Sequence, residues 1–458
     1  MLPKKIKRLQ RSLKDGNLKE IFKGSSIAFV YRVLGMFLNY YLLIMIPRRF
    51  NVESLGVYNL ATNFLAIAAL LSTLGFNTSV LRFTAQYNVQ GKHIKMANFY
   101  KGIIKTVGIL SLTFSTLVFI FASEIATVFY HNEALTIPLK IIAFTLPFQV
   151  VLNIDIEFIR GLKKIQYSEY LRNLNQPLIN TLVIFAAGFT IFSFLNFKEL
   201  PLVGYTMGVL ISLVFSVVVI TKFLKTSKTT DVQENEEDVF SLKEQLKISS
   251  PMIITSFAHI MQARLGLQIL AMMSTIQSVA AYSVAARLAI LTTFVQMAVN
   301  TISASKFSEL FWENKIDELN KVVTFSTRMV FMVSLPIVII LIAFPKFILG
   351  IVDPQIQTGA TALILLAIAQ FISACSGSVG TFLNMTGHQV TLRNIVLLGI
   401  AINIILCIVL IPKFDMIGTA VANLISVAFW NIAGAVYVYK KYKIKTFYIP
   451  FIQNRIGK

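Results

Sequence analysis

Three arginines stand where a charge is expensive. Arg32, Arg264 and Arg287 each fall within a run of residues apolar enough to cross a bilayer. A charge near the bilayer centre costs from about 2.5 to about 17 kcal/mol, so such a side chain either snorkels to an interface or faces a cavity or a partner. Arg32 lies about 12 Å into its run at 1.5 Å per residue, and Arg287 is at a similar depth counted from the opposite side. Both are close to the midplane. Arg264 is nearer an end, with Gln268 one turn on and His259 and Gln262 nearby. Helical spacing puts Arg32, Gly35 and Asn39 on one face, Asn59 with Asn63 on another, and Gln296 with Asn300 on a third.

Guanidinium groups bind phosphate bidentately. The nearest acids, Asp155 and Glu157, lie toward the end of their run, just before Arg160, and no midplane carboxylate matches the arginines. The expectation is a cavity that attracts an anion, most simply a phosphate or pyrophosphate, and repels organic cations. Its candidate diphosphate- and glycan-binding residues are Arg32, Arg264, Arg287, Asn39, Asn63, His259, Gln262 and Asn300. Asp155 and Glu157 are the candidates for ion coupling, although Glu157 and Arg160 also make an ordinary i, i+3 pair. The amides have a plainer reading as interhelical hydrogen bonds, and so does His259.

The elements that carry these residues follow from composition. The chain has 458 residues, 56% of them hydrophobic and 14% charged. A soluble domain carries about 25% charged residues, so no soluble shell can be built from this chain. The two cysteines, Cys375 and Cys407, sit in apolar runs and exclude a disulfide scaffold. A membrane-spanning helix needs about 20 apolar residues. Twelve such runs are present: 25–46, 57–79, 102–122, 138–158, 174–195, 200–221, 249–273, 279–303, 324–349, 360–383, 394–411 and 417–438. They are too long, and too little alternating, for transmembrane β-strands. The first is also too long for a signal-peptide core and has no cleavage site of the A-x-A type. The predicted fold is all-α, a polytopic membrane protein of twelve transmembrane helices.

Lysine and arginine set the orientation. Counting a residue near the end of a run with the side it adjoins, of 42 such residues Arg48, Arg49, Lys140, Lys198, Lys346 and Lys413 fall on one side and Arg32, Arg264 and Arg287 inside spans. The other 33 fall on the opposite side, so the positive-inside rule puts both termini in the cytoplasm. The net charge of +21 is then a topology signal with attraction to anionic membrane lipids, and no nucleic acid is implied.

The most polar internal stretch, Thr221 to Lys247, separates six spans from six. Moving the second half back by 224 positions lays Leu242-Lys243-Glu244 and Ser249-Ser250 on Leu18-Lys19-Glu20 and Ser25-Ser26. Without a gap, Ser278, Tyr282, Ala285 and Phe307 then fall on Ser54, Tyr58, Ala61 and Phe83. Six spans per half give both halves the same orientation, as in alternating-access transporters with the substrate path between two lobes. The expected divisions are a basic amphipathic N-terminus (1–24), an N-lobe (25–221), a charged cytoplasmic linker (222–248), a C-lobe (249–438) and a basic tail (439–458). The N-terminal stretch reads equally as a helix lying on the membrane or a solvated tail.

Other chemistry is missing from the sequence. There is no Walker A motif, no nucleophile elbow, and the four histidines, His93, His131, His259 and His388, are scattered. No metal, no cofactor and no enzyme activity are expected.

Four segments carry a family resemblance: Arg49-Phe50-Asn51-Val52-Glu53-Ser54-Leu55-Gly56-Val57-Tyr58; Leu74-Gly75-Phe76 running to Arg82-Phe83-Thr84-Ala85-Gln86-Tyr87; Arg160-Gly161-Leu162 with Tyr167; and Gly387 to Arg393, then Leu410-Ile411-Pro412-Lys413-Phe414 with Gly418-Thr419-Ala420. Through them the chain resembles the polysaccharide flippases (O-antigen or capsule translocases) of the multidrug/oligosaccharidyl-lipid/polysaccharide exporter superfamily. The resemblance implies two six-helix lobes around a central cavity, in the bacterial cytoplasmic (inner) membrane. It also implies alternating-access transfer of an undecaprenyl-diphosphate-linked oligosaccharide to the outer leaflet, with a polysaccharide polymerase and chain-length machinery as partners. Tyr31-Arg32-Val33-Leu34-Gly35 and Ala286-Arg287-Leu288 resemble the places where lipid II flippases keep cavity arginines.

There are departures. Asn51 stands where the family often has glycine, the spans number twelve where lipid II flippases usually have fourteen, and the N-lobe lacks the coupling acid of multidrug members. The loop Gln86-Tyr87-Asn88-Val89-Gln90-Gly91-Lys92 lacks the signature of major-facilitator transporters. A multidrug or metabolite exporter and a lipid II flippase are the alternatives within the superfamily. A membrane enzyme would need a clustered acid/base pair that the sequence does not offer.

Overall fold

A computed structural model describes residues 16–187, 197–227, 261–262 and 264–448, with side chains from Val30 onward except at 225–227, 295, 298, 301, 302 and 305. Among these residues helix is the only regular structure. Among the described residues nine helices are long and apolar enough to cross a membrane, the last of them 54 residues long. The chain is an all-α polytopic membrane protein.

In order the helices are α1 (Gly16–Arg49), α2 (Val52–Thr73), α3 (Phe76–Val89), α4 (His93–Ile120), α5 (Thr136–Gly161), α6 (Ile165–Glu169), α7 (Gln176–Ala186), α8 (Leu200–Ser227), α9 (Arg264–Met273), α10 (Ile276–Ile290), α11 (Phe294–Trp312), α12 (Ile316–Ala343), α13 (Pro345–Val352), α14 (Ala360–Cys375), α15 (Val379–Met385) and α16 (Gln389–Tyr442). Each of the twelve predicted runs meets at least part of a helix. The remainder of the fifth and most of the seventh lie outside the described residues, as do residues 1–15, most of the charged linker and the end of the tail.

Several boundaries differ from the hydropathy reading, each for a local reason. The second span runs over 52–73, not 57–79, because Leu74 and Gly75 both take positive φ (44° and 69°) and start α3 in a new direction. The ninth stops at Ala343, ahead of Pro345, and the tenth at Cys375, ahead of the left-handed Gly377. The eleventh and twelfth are one helix by hydrogen bonding. It is broken at Asp415 (φ 54°), whose carboxylate accepts from Ser274 Oγ and, at 2.5 Å, from Ser278 Oγ.

By contacts the chain forms two compact units. One contains Met1–Met45, Ala68–Ala126 and Glu133–Ile253, the other Ile46–Ile67, Thr127–Asn132 and Ile254–Lys458. In the first, α4, α5 and α8 pack around buried Ile103, Val107, Val150 and Val209. In the second, α14 lies against α10, α12 and α16 and buries Leu363, Leu366 and Ala367.

The repeat has a direct counterpart in the second unit. Position 56 contacts its own equivalent: a Cβ on Gly56 would stand 3.3 Å from Ala280 Cβ. One turn on, Asn59 Nδ2 donates to Ser283 Oγ at 2.7 Å, again across 224 residues. Equivalent positions of the 224-residue offset thus meet where α2 packs against α10. The approach is too close for a side chain, since the same Cβ would lie 2.5 Å from the Ile276 carbonyl oxygen. Gly56→Ala is expected to cost about 1–3 kcal/mol through overpacking, read as a lower thermal midpoint of the purified protein. Gly108→Ala, with open space around it, should leave the midpoint unchanged or raised.

Candidate functional site

The second unit holds a cavity of about 500 Å³, within the range of small-molecule sites. On α2, Asn59, Thr62 and Asn63 face it, three residues that a helix brings together at spacings of three and four. Opposite stand Gln262, Arg264 on α9, and Tyr282, Ser283 and Arg287 on α10. Gln370 and Ser373 come from α14, and Asn423 and Trp430 from α16. Helix α10 passes through a short 3-10 segment, Leu291–Thr293, before α11 begins, just beyond Arg287.

Both arginines are held by amides of α2. Arg287 Nη2 donates to Asn59 Oδ1 at 2.6 Å, and Asn59 is fixed in turn by its bond to Ser283 Oγ. Arg264 Nη1 donates to Asn63 Oδ1 at 2.9 Å, while Asn63 Nδ2 returns a bond to the Arg264 carbonyl at 3.0 Å. An amide carbonyl orients a guanidinium without cancelling its charge. Among the described residues lining the cavity there is no carboxylate. Gln262 Nε2 and Asn423 Oδ1 are buried without a hydrogen-bond partner among the described residues. Such groups cost about 1–3 kcal/mol each unless water or a ligand satisfies them.

Arg264, Arg287, Asn63 and Gln262, all singled out from the sequence, thus share one cavity. Asn300 lies on α11 outside the described lining, with its Oδ1 buried and unpartnered among the described residues. His259 lies outside the described residues. Arg32 and Asn39 belong to the first unit. There Asn39 Nδ2 is spent on the Gly35 carbonyl of its own helix, at 2.8 Å.

The expectation that no acid matches the buried arginines fails at Arg32. Its Nη2 meets Glu169 Oε2 at 3.3 Å, and Asn173 Nδ2 donates to the same oxygen at 2.8 Å. The fifth span was read as beginning at 174, which left Glu169 in a loop. In the structure α6 begins at Ile165 and continues through a π-helical turn, Tyr170–Asn175, into α7, so Glu169 is already part of the helical column. Gly35 allows the close approach, since a Cβ there would meet the Asn173 carbonyl oxygen.

The two coupling candidates separate. Glu157 pairs with Arg172 at 2.7 Å and with Arg160 at 3.7 Å. Asp155 is fully buried between α4, α5 and α8, and accepts from Tyr100 Oη and Ser216 Oγ, each at 2.6 Å. The sequence reading missed a further network in this unit: Gln176 Nε2 and Tyr205 Oη donate to Gln149 Oε1, and Gln149 Nε2 donates to Asn153. It also missed Gln370, Asn423 and Trp430. The available signal was the i, i+4, i+7 face of Asn423, Val427 and Trp430 in an otherwise apolar helix.

Comparison with known proteins agrees with this architecture. The family described as polysaccharide biosynthesis protein matches residues 21–307, and the MatE family matches residues 251–409. An uncharacterised membrane protein of Methanocaldococcus jannaschii is 24% identical over 434 residues, covering 89% of this chain and 79% of the relative. A probable low-salt glycan biosynthesis flippase, Agl15 of Haloferax volcanii, is 20% identical over 427 residues, covering 93% and 85%. Among solved structures, the lipid II flippase MurJ in an inward closed conformation superposes with a TM-score of 0.73 at 15% identity, covering 93% of this chain and 90% of that one.

Proposed function

Because this chain belongs to the polysaccharide biosynthesis protein family, in the flippase branch of the multidrug/oligosaccharidyl-lipid/polysaccharide exporter superfamily, we propose that it translocates a pyrophosphate-linked, lipid-anchored oligosaccharide across the membrane. Undecaprenyl diphosphate is the carrier this reading takes, and a surface polysaccharide the destination. The observation that carries it is the pair of arginines, Arg264 and Arg287, each held by an asparagine carbonyl in a cavity without a described carboxylate. Two guanidinium groups suit the two phosphates of a diphosphate. The amides and hydroxyls around them suit a sugar, and the lipid stays in the bilayer. The described lining offers a cationic drug no carboxylate, which disfavours the multidrug alternative.

The direction this reading takes, from cytoplasmic to outer leaflet, is the one the family resemblance implies, and the lysine and arginine count assigns the termini to the cytoplasmic face. A polymerase acting on the outer leaflet would be the downstream partner. The cycle needs a bias, which a gradient supplies only through a group that binds its ion differently in the two states. Asp155 fits that part: Tyr100 and Ser216 meet it with two neutral hydroxyls, so taking up a proton removes charge from the interior without stranding a cation. Glu157, tied to Arg172 and Arg160, does not.

The test is a vesicle assay with the purified chain and a fluorescent undecaprenyl-diphosphate-linked oligosaccharide. Transfer is read as loss of protection from an impermeant quencher. Protein-dependent transfer supports the reading, and a rate equal to that of empty vesicles overturns it.

A further inference from the structure

The arginine pair occupies only part of the cavity. One tryptophan and several amides line it as well. Trp430 lies on α16 in register with Asn423, which is seven residues earlier on the same face. Its indole edge comes near α15, where a Cβ on Gly380 would be 3.9 Å from Cζ3, and its own Cβ is near the first arm of α16, 3.6 Å from a Cβ placed on Gly399. No other aromatic ring stacks on it among the described residues, although ring pairs are common elsewhere in the unit. Gln370 on α14 lines the same cavity, and the unpartnered Asn423 Oδ1 and Gln262 Nε2 offer it one acceptor and one donor.

We infer that Trp430, Asn423, Gln370 and Gln262 form a pyranose subsite for the sugar attached directly to the diphosphate. A pyranose ring has an apolar C–H face and an equatorial rim of hydroxyls. An indole offers a flat, rigid apolar surface to the first, and carboxamides, each both donor and acceptor, suit the second. A flat apolar face does nothing for an anion, and together with the carboxamides it is what an uncharged polar ring requires. This inference rests on the diphosphate reading of Arg264 and Arg287, and it adds a requirement that the cargo be glycosylated before it is carried.

The experiment compares two probes on the full chain in nanodiscs: undecaprenyl diphosphate, and undecaprenyl diphosphate bearing one N-acetylglucosamine. The wild type is expected to bind the glycosylated probe about tenfold more tightly, equivalent to about 1.4 kcal/mol. Trp430→Ala should erase that difference and leave the affinity for the bare diphosphate unchanged, while Trp430→Phe should keep part of it. Asn423→Leu, which leaves the indole in place, should reduce the difference several-fold. Equal binding of both probes by the wild type would overturn the subsite while leaving the diphosphate reading standing. So would a Trp430→Ala variant that weakens both probes alike. Arg287→Ala binding the bare diphosphate as well as the wild type would instead remove the diphosphate reading, and the subsite with it.

Discussion

The double variant Arg264→Ala, Arg287→Ala should lose glycan transfer entirely while reaching the membrane in normal amount. Hydrogen bonds to charged groups contribute about 1.5–3 kcal/mol each, so removing both guanidinium contacts weakens diphosphate binding by a factor of about 10² to 10⁴. The fold should tolerate the change, because the asparagines keep other partners. Asn59 Nδ2 still has Ser283 Oγ, and Asn63 Nδ2 donates to the backbone carbonyl of residue 264, which alanine retains. Charge alone is not the whole requirement. Lysine at 287 preserves the charge but not the planar fork, so Arg287→Lys is expected to fall between wild type and alanine. Surface glycan in a complementation assay, alongside the vesicle assay, measures all three. Full glycan display by the double alanine variant would dismiss this cavity as the cargo site.

The second large effect is expected at Asp155. Asparagine is nearly isosteric and can still engage both Tyr100 Oη and Ser216 Oγ, with the sense of one bond reversed. Stability should therefore change by less than about 1 kcal/mol. Transport should change much more: transfer stimulated by an imposed pH gradient is expected to drop to the rate without a gradient, because residue 155 can no longer take up and release a proton. Leucine is the contrasting case. Ser216 Oγ keeps an alternative acceptor in the Leu213 carbonyl at 2.8 Å, but the Tyr100 hydroxyl loses the carboxylate it donates to. Asp155→Leu should cost about 1–3 kcal/mol for one buried donor left without an acceptor. Retention of full gradient stimulation by the asparagine variant would move coupling to another residue.

Much of this was legible in the chain, and the failures have physical causes. Hydropathy located the spans because the bilayer imposes a length on any helix that crosses it. It misplaced the end of the second span because Leu74-Gly75 is apolar enough to look like continuation, whereas the break is a matter of φ. The constant offset of 224 was readable because both halves keep residues at matching depths, and the Asn59–Ser283 bond is its three-dimensional form. Arg264, Arg287 and Asn63 could be nominated by the cost of burying polar groups in lipid. Their partners could not, since the facing of α2 onto α9 and α10 is a property of packing. Glu169 was lost for a related reason: a charged residue outside an apolar window reads as loop, although a helix continues past the hydrocarbon edge without a hydropathy signal. Trp430 escaped because an aromatic residue in an apolar run looks like any other hydrophobic residue until its surroundings are known.

The contact between α2 and α10 has one more implication. Counting by the offset, Arg287 stands where the first half has Asn63, and Ser283 where it has Asn59. At these corresponding stations stand two different residues, Arg287 bearing a charge and Asn63 supplying the carbonyl that steadies the other arginine, Arg264. Symmetry in the framework thus sits alongside polarity in what it holds, and a cargo with a distinct head and tail would meet a correspondingly one-sided berth.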